Sequence, residues 1–337
     1  MRPRRDWLGV HSQMSQPIEN EPVLNELAWA LVEDIVVAAD DLRVEVHELS
    51  SGARVIDFGV DAPGSLAAGI ALSEVCMAGL SEIELQQGTL NGIGWPLVVV
   101  STDDPLEACL LSQYAGWAVQ VGKFFGMGSG PMRAAACEEE LFSQFDYREE
   151  AERAVGVLEC GKLPGDEVIT MIAEKCGVTP NNLTLLVAPT ASVAGSFQVV
   201  ARSVETCLHK LHELEFDTTR IQSAVGSAPF APVAADDLAG IGRTNDAILY
   251  GGRVHLWVTG DDESLAAIGP KVPSSASDAY GEPFVTIFEQ AGHDFYAIDK
   301  LLFSPAEVVF QNIDTGSVHV FGGTKEDVIA KSFGIAR

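Results

Sequence analysis

Residues Leu183–Leu214 read LTLLVAPTASVAGSFQVVARSVETCLHKLHEL, and the periodicity of the chain changes within them. Leu183, Leu185, Leu186 and Val187 form an apolar run of strand length. The small residues of Ala188–Ser196 read as a loop, and a long helical pattern follows. In that pattern Gln198, Arg202, Glu205, His209 and His212 recur at steps of four, three, four and three, which puts them on one stripe of a single predicted helix. Phe197, Val200, Val204, Cys207, Leu208 and Leu211 form the adjoining apolar stripe, which should face a core. A strand that enters a helix through a loop of small residues is an α/β unit, and open α/β sheets bind ligands at such helix starts.

An arginine three residues before a glutamate is most often a solvated pair worth ~0.3–0.5 kcal/mol. The position beside a ligand-binding helix start gives the pair a second reading. A guanidinium one turn away can orient a carboxylate and set its charge, as a hydrolytic general base requires.

Outward from this stretch, helical and strand patterns alternate. Helices are predicted over Val23–Ala39, Leu66–Ala78, Pro105–Trp117 (capped by Asp103 or Asp104), Met132–Phe142, Asp166–Lys175, Asp236–Tyr250 and Pro283–Ala291, with a further pattern at the C-terminus. Leu42–Leu49 and Ala53–Phe58 read as a hairpin, and Pro96–Ser101, Ala154–Leu158, Ile221–Val225, Val254–Val258, Val308–Asn312 and Val318–Phe321 as strands. The fold class is therefore α/β in the mixed, α+β sense. A chain of 337 residues suggests two domains, read as 21–160 and 161–337, with no linker at the break and room for the chain to cross between them more than once. Residues 1–20 read as a disordered extension, with Met14 an alternative start to Met1.

The formal charge of −27 opposes nucleic acid and favours a cationic substrate. No apolar run spans a bilayer, and no secretory signal opens the chain, so a cytoplasmic location is expected. The six cysteines form no CxxC pair and read as buried hydrophobes in a reducing compartment.

Two other stretches suggest chemistry. Phe125–Pro131 (FGMGSGP) is dense in glycine and resembles a phosphate-cradling loop, with Arg133 to supply charge, although no GxxxxGK[ST] or GxGxxG pattern is complete. Glu205, His209 and His212 could ligate a metal from one helical face, though there is no HExxH. These stretches define two alternatives: a metal-dependent hydrolase using Glu205, His209 and His212, and a non-catalytic ligand or nucleotide carrier built on the glycine-rich loop. No GxSxG elbow is present.

SQYAGW (Ser112–Trp117), FGMGSGP, APTASVAGS (Ala188–Ser196), ARSVET (Ala201–Thr206) and GRTNDAILYGG (Gly242–Gly252) occur in this order. From Leu24 to its C-terminus the chain resembles the methenyltetrahydromethanopterin cyclohydrolases. The resemblance implies water addition to the methenyl carbon bridging N5 and N10 of the pterin, then ring opening to the N5-formyl product, a reversible step of one-carbon metabolism and formaldehyde oxidation. It implies Arg202 and Glu205 as the catalytic pair, and Ser112, Gln113 and Tyr114 as a segment that places the water and the formyl oxygen. Some relatives carry lysine at the Tyr114 position. Gly128, Ser129 and Asp246 are motif-level candidates for substrate contact. It further implies a homotrimer, a pterin pocket between two domains, and neither metal nor redox cofactor.

Overall fold

The computed structural model describes residues 23–292 and 297–335; the extension read over 1–20 lies outside them. The strands are β1 (Glu45–Glu48), β2 (Arg54–Asp57), β3 (Glu82–Leu90), β4 (Ile93–Thr102), β5 (Trp117–Val121), β6 (Phe124–Ser129), β7 (Ala154–Glu159), β8 (Leu183–Ala188), β9 (Ile221–Pro229), β10 (Arg253–Val258), β11 (Glu307–Asn312) and β12 (Val318–Gly322). They form two six-stranded sheets, ordered β1-β2-β8-β7-β6-β5 and β12-β11-β10-β9-β4-β3. In the first sheet β2, β8 and β7 run parallel between antiparallel flanks. In the second, β10 and β11 are the parallel pair. The class is mixed α/β, as the patterns imply. The chain passes from one sheet to the other three times, because β3–β4 and β9–β12 belong to the second sheet and the rest to the first.

The helices are α1 (Leu24–Val37), α2 (Ala39–Leu42), α3 (Leu66–Cys76), α4 (Met132–Ala136), α5 (Glu140–Gln144), α6 (Asp166–Cys176), α7 (Val193–Val200), α8 (Ser203–Glu213), α9 (Asp237–Gly251), α10 (Asp262–Ile268), α11 (Phe284–Gln290) and α12 (Glu326–Ser332). Strand alternation explains their placement. Leu183, Leu185 and Val187 of β8 pack with Ile169, Ile172 and Cys176 of α6, while Leu186 and Ala188 pack with Val32 of α1 and Leu72 of α3. Both faces of β8 are thus buried, which is why all of its residues except Thr184 are apolar. The predicted stripe of Phe197, Val200, Val204, Cys207, Leu208 and Leu211 is completely buried, in the core that α7 and α8 share with the second sheet. Among the described residues no helix is long and apolar enough to cross a membrane.

One carboxylate organises the loop after β2. Asp57 is fully buried and accepts from the backbone N–H of Gly59, Val60, Asp61 and Ala62 at 2.8, 2.6, 2.7 and 2.9 Å. Burial alone would raise its pKa, but the four donors bring it below the ordinary 3.8. A depressed folded-state pKa stabilises above the unfolded value and is lost as pH falls through the folded one. Asp57→Ala should cost roughly 3 kcal/mol by urea denaturation at pH 7, and the difference from wild type should shrink in acid. Equal midpoints at pH 7 would refute this.

The structure departs from four local expectations. The long helix is broken at Ala201–Arg202, between α7 and α8. Arg202 N turns to Val199 O, three residues back, at 3.2 Å, and Ala201 O accepts from Gln113 Nε2 at 3.3 Å. Pro105–Trp117 holds a π-helical turn, Leu106–Gln113, without a side-chain cap from Asp103 or Asp104. Met132–Phe142 divides into α4 and α5 at Cys137, which is left-handed at φ 49°. The glycine-rich FGMGSGP is not a loop: most of it is strand β6, paired on both sides by β5 and β7. Strands β3 and β5 have no counterpart in the sequence reading. Both are sheet edges, half exposed, so their apolar alternation is weak.

Candidate active site

Arg202 lies at the break between α7 and α8 and is 6 % exposed; Glu205, in the first turn of α8, is 4 % exposed. The solvated-pair reading therefore does not hold. Arg202 Nη1 donates to Gln113 O, and Nη2 donates to Gln198 Oε1 at 2.9 Å and Ser129 Oγ at 3.1 Å. The same guanidinium stands 3.8 Å from Glu205 Oε2 and 3.8 Å from Cys76 Sγ. The helix break lets one side chain reach across three elements: α7 through Gln198, the end of β6 through Ser129, and the π-helical turn through Gln113.

The carboxylate is poised between two protonation states. Burial drives the Glu205 pKa up, and the positive charges of Arg202 and Arg133 pull it back, leaving it at about 7. The sequence reading gave Arg202 the task of keeping Glu205 ionised; in the structure burial outweighs that attraction. A general base works best with a pKa near the operating pH, so this balance suits proton transfer better than a strongly depressed value. Around the pair three buried polar atoms lack a partner: Gln113 Oε1, Gln198 Nε2 and Arg202 Nε. Each such orphan costs ~1–3 kcal/mol. Three close to one ion pair mark a place where a water or a ligand's polar atoms would be held.

Beside Glu205, the Tyr114 ring stacks on His209 at 4.5 Å between centroids, and His212 meets the Phe145 ring at 5.4 Å. Burial lowers the His209 pKa to about 4, so its ring is neutral at physiological pH.

A family model described as "Cyclohydrolase (MCH)" matches residues 23–333. The methenyltetrahydromethanopterin cyclohydrolase of Rhodopirellula baltica is 48% identical over 320 residues, covering 94% of this chain and 96% of the relative. That of Methanospirillum hungatei is 44% identical, covering 92% and 98%, and that of Methylobacillus flagellatus is 44% identical, covering 93% and 96%. The chain belongs to the methenyltetrahydromethanopterin cyclohydrolase family.

In this cyclohydrolase chain the predicted site residues divide into three groups. Arg202, Glu205, Gln113 and Ser129 come together as described. Ser112 and Tyr114 flank Gln113: Ser112 Oγ donates to Cys76 O at 2.8 Å, so its hydroxyl is already engaged, and Tyr114 lies flat against His209. Gly128 has a packing role, since a Cβ there would stand 2.9 Å from Met132 Cε and 3.0 Å from Trp117 O. Among the described residues no hydrogen bond or ion pair joins Asp246 to the cluster. It accepts from Phe284 N at 2.8 Å, which ties α9 to the first turn of α11. The alternative metal site is not assembled. His209 and His212 face different aromatic rings, and among the described residues no three His, Cys, Asp or Glu side chains are grouped to hold an ion. Arg133 is likewise not free for a phosphate, being fully buried against Glu139.

Cys76 and Gln198 were missed as site residues. Gln198 was legible, because it lies on the same polar stripe. Cys76 ends an alanine-rich helix, and nothing local marks it. One surface concavity of about 550 Å³ is lined by Glu26, Trp29, Glu33, Arg153 and Asn182, and one of about 230 Å³ by residues that include Glu139, Phe142 and Arg148.

Proposed function

We infer that this chain hydrolyses 5,10-methenyltetrahydromethanopterin to N5-formyltetrahydromethanopterin, with Glu205 as general base and Arg202 as its partner. The methenyl carbon is part of an amidinium cation and is already electrophilic. What it needs is a nucleophile. Glu205 removes a proton as water oxygen bonds to that carbon. The proton passes to N10 as the carbon–N10 bond breaks; the freed carboxylate then takes the hydroxyl proton and releases it to solvent, and the neutral N5-formyl group remains. Arg202 orients the carboxylate, and its guanidinium, with Gln113 and Ser129, faces the developing oxygen charge. No electrons are transferred and no further Lewis acid is called for, so the proposal includes neither metal nor redox cofactor.

The observation that carries this reading is the buried Glu205, with its pKa at about 7, beside a guanidinium held by Gln113, Gln198 and Ser129. Absorbance of the methenyl chromophore should fall on addition of the protein, faster with the methanopterin coenzyme than with its folate counterpart. Binding without loss of the chromophore would support a carrier instead.

The proposal extends to a cytoplasmic homotrimer acting in one-carbon metabolism, on the route of formaldehyde oxidation. The open face of the second sheet supports subunit contact: Val318 and Val320 are 61% and 60% exposed. Light scattering at micromolar concentration should report three chains; a monomer would remove the trimer.

A further inference from the structure

Arg133, on α4, makes contacts that the mechanism above does not use. Its guanidinium is fully buried. Nε and Nη2 donate to the Glu139 carboxylate, while Nη1 donates to Leu110 O at 3.1 Å and Ser112 O at 3.0 Å. These are the terminal carbonyls of the π-helical turn, groups that a helix end leaves without intrahelical donors. The next carbonyl, Gln113 O, is the one that Arg202 holds. Two arginines therefore fix neighbouring carbonyls of one turn. Arg133 also lies 5.1 Å from the centre of the Tyr114 ring, and the same ring stacks on His209. The fit around this group is close: a Cβ on Gly116 would stand 2.2 Å from Glu139 Oε2 and 2.6 Å from Tyr114 Cε1.

We propose that Arg133, braced by Glu139, is a positioning residue of the hydrolytic site, clamping the end of the π-helical turn so that Gln113 O and the Tyr114 ring are presented to Arg202 and Glu205. The proposal rests on the reading of Glu205 as base. The ionisable groups facing Glu205 are Arg202, Arg133 from α4, Cys76 at the end of α3, and Cys109 and Tyr114 from the π-helical turn and its cap. Burial raises both thiols and the phenol, so the two arginines are the charged members at neutral pH. Neutralising Arg133 should therefore raise the pKa of Glu205, and neutralising Glu139, which leaves Arg133 without its counter-ion, should lower it.

The test compares Arg133→Met, Glu139→Gln and Glu205→Gln in one hydrolysis assay across pH. Arg133→Met should lose roughly tenfold or more in kcat, with the acid limb of its pH–rate profile moved up by about half a unit or more. Glu139→Gln should move that limb down. A purely structural role would lower Tm and leave the limb in place, and that result overturns the proposal. If Arg133→Met does not fold, Glu139→Gln decides, because Glu139 is partly exposed at the rim of the smaller concavity. Unchanged limbs in the Arg133 and Glu139 variants beside an inactive Glu205→Gln would sink this proposal alone. Turnover by Glu205→Gln would remove the base reading and this inference with it.

Discussion

Glu205→Gln is expected to keep substrate affinity and lose about 10²–10⁴-fold in kcat, the usual contribution of a positioned base. The amide has nearly the same shape and leaves Arg202 its other partners, Gln113, Gln198 and Ser129. A loss confined to kcat would mean that the carboxylate acts in the transition state and not in binding. With its pKa at about 7, Glu205 is protonated below neutrality, so wild-type turnover should rise as pH passes through that value. Stability should move the other way. A carboxyl whose folded pKa is raised from 4.5 to about 7 favours folding in its protonated form. That contribution is complete below the unfolded pKa and is lost as pH rises through the folded one. Glu205→Gln should therefore gain Tm relative to wild type between pH 5 and 8, while losing its activity. Near-normal turnover at pH 8 would end the assignment.

Arg202→Lys is expected to cost roughly 10²-fold or more in kcat/KM. Lysine keeps the charge, but one ammonium cannot reproduce a planar fork that spans Gln113 O, Gln198 Oε1 and Ser129 Oγ. The cost exceeds that of one lost contact, because the same side chain bridges α7, β6 and the π-helical turn. Arg202→Met separates charge from geometry. Without the nearest positive charge the Glu205 pKa should rise further, and the acid limb should move to higher pH. An Arg202→Met enzyme with an unshifted limb would show that the guanidinium does not tune the carboxylate.

The buried stripe of α7 and α8 was legible because apolar spacing alone defines a helix face, and all six of its residues are buried. Arg202 and Glu205 were legible on the same grounds, with the ARSVET motif beside them. The break that aims Arg202 was not. No glycine or proline stands at 201 or 202; the turn depends on Gln113, distant in sequence, donating to Ala201 O. The glycines of FGMGSGP misled for a related reason. Their density suggested a loop, yet Gly128 meets a packing need, the close approach of Met132 and the β5 backbone. Asp246 was legible only from its motif; in the structure one oxygen of its carboxylate accepts from the first turn of α11, and the other is buried without a partner.

The threefold passage of the chain between sheets has a consequence for biosynthesis. Strand β4 ends at Thr102, while its antiparallel neighbour β9 begins only at Ile221. A nascent chain leaving the ribosome must carry the β3–β4 ribbon with an unsatisfied edge through the synthesis of four of the six strands of the first sheet. Closing so distant a pairing is entropically slow, and a waiting edge invites intermolecular association. The yield of active enzyme in a heterologous host should accordingly depend on chaperone supply and growth temperature more than on the equilibrium stability of the finished protein.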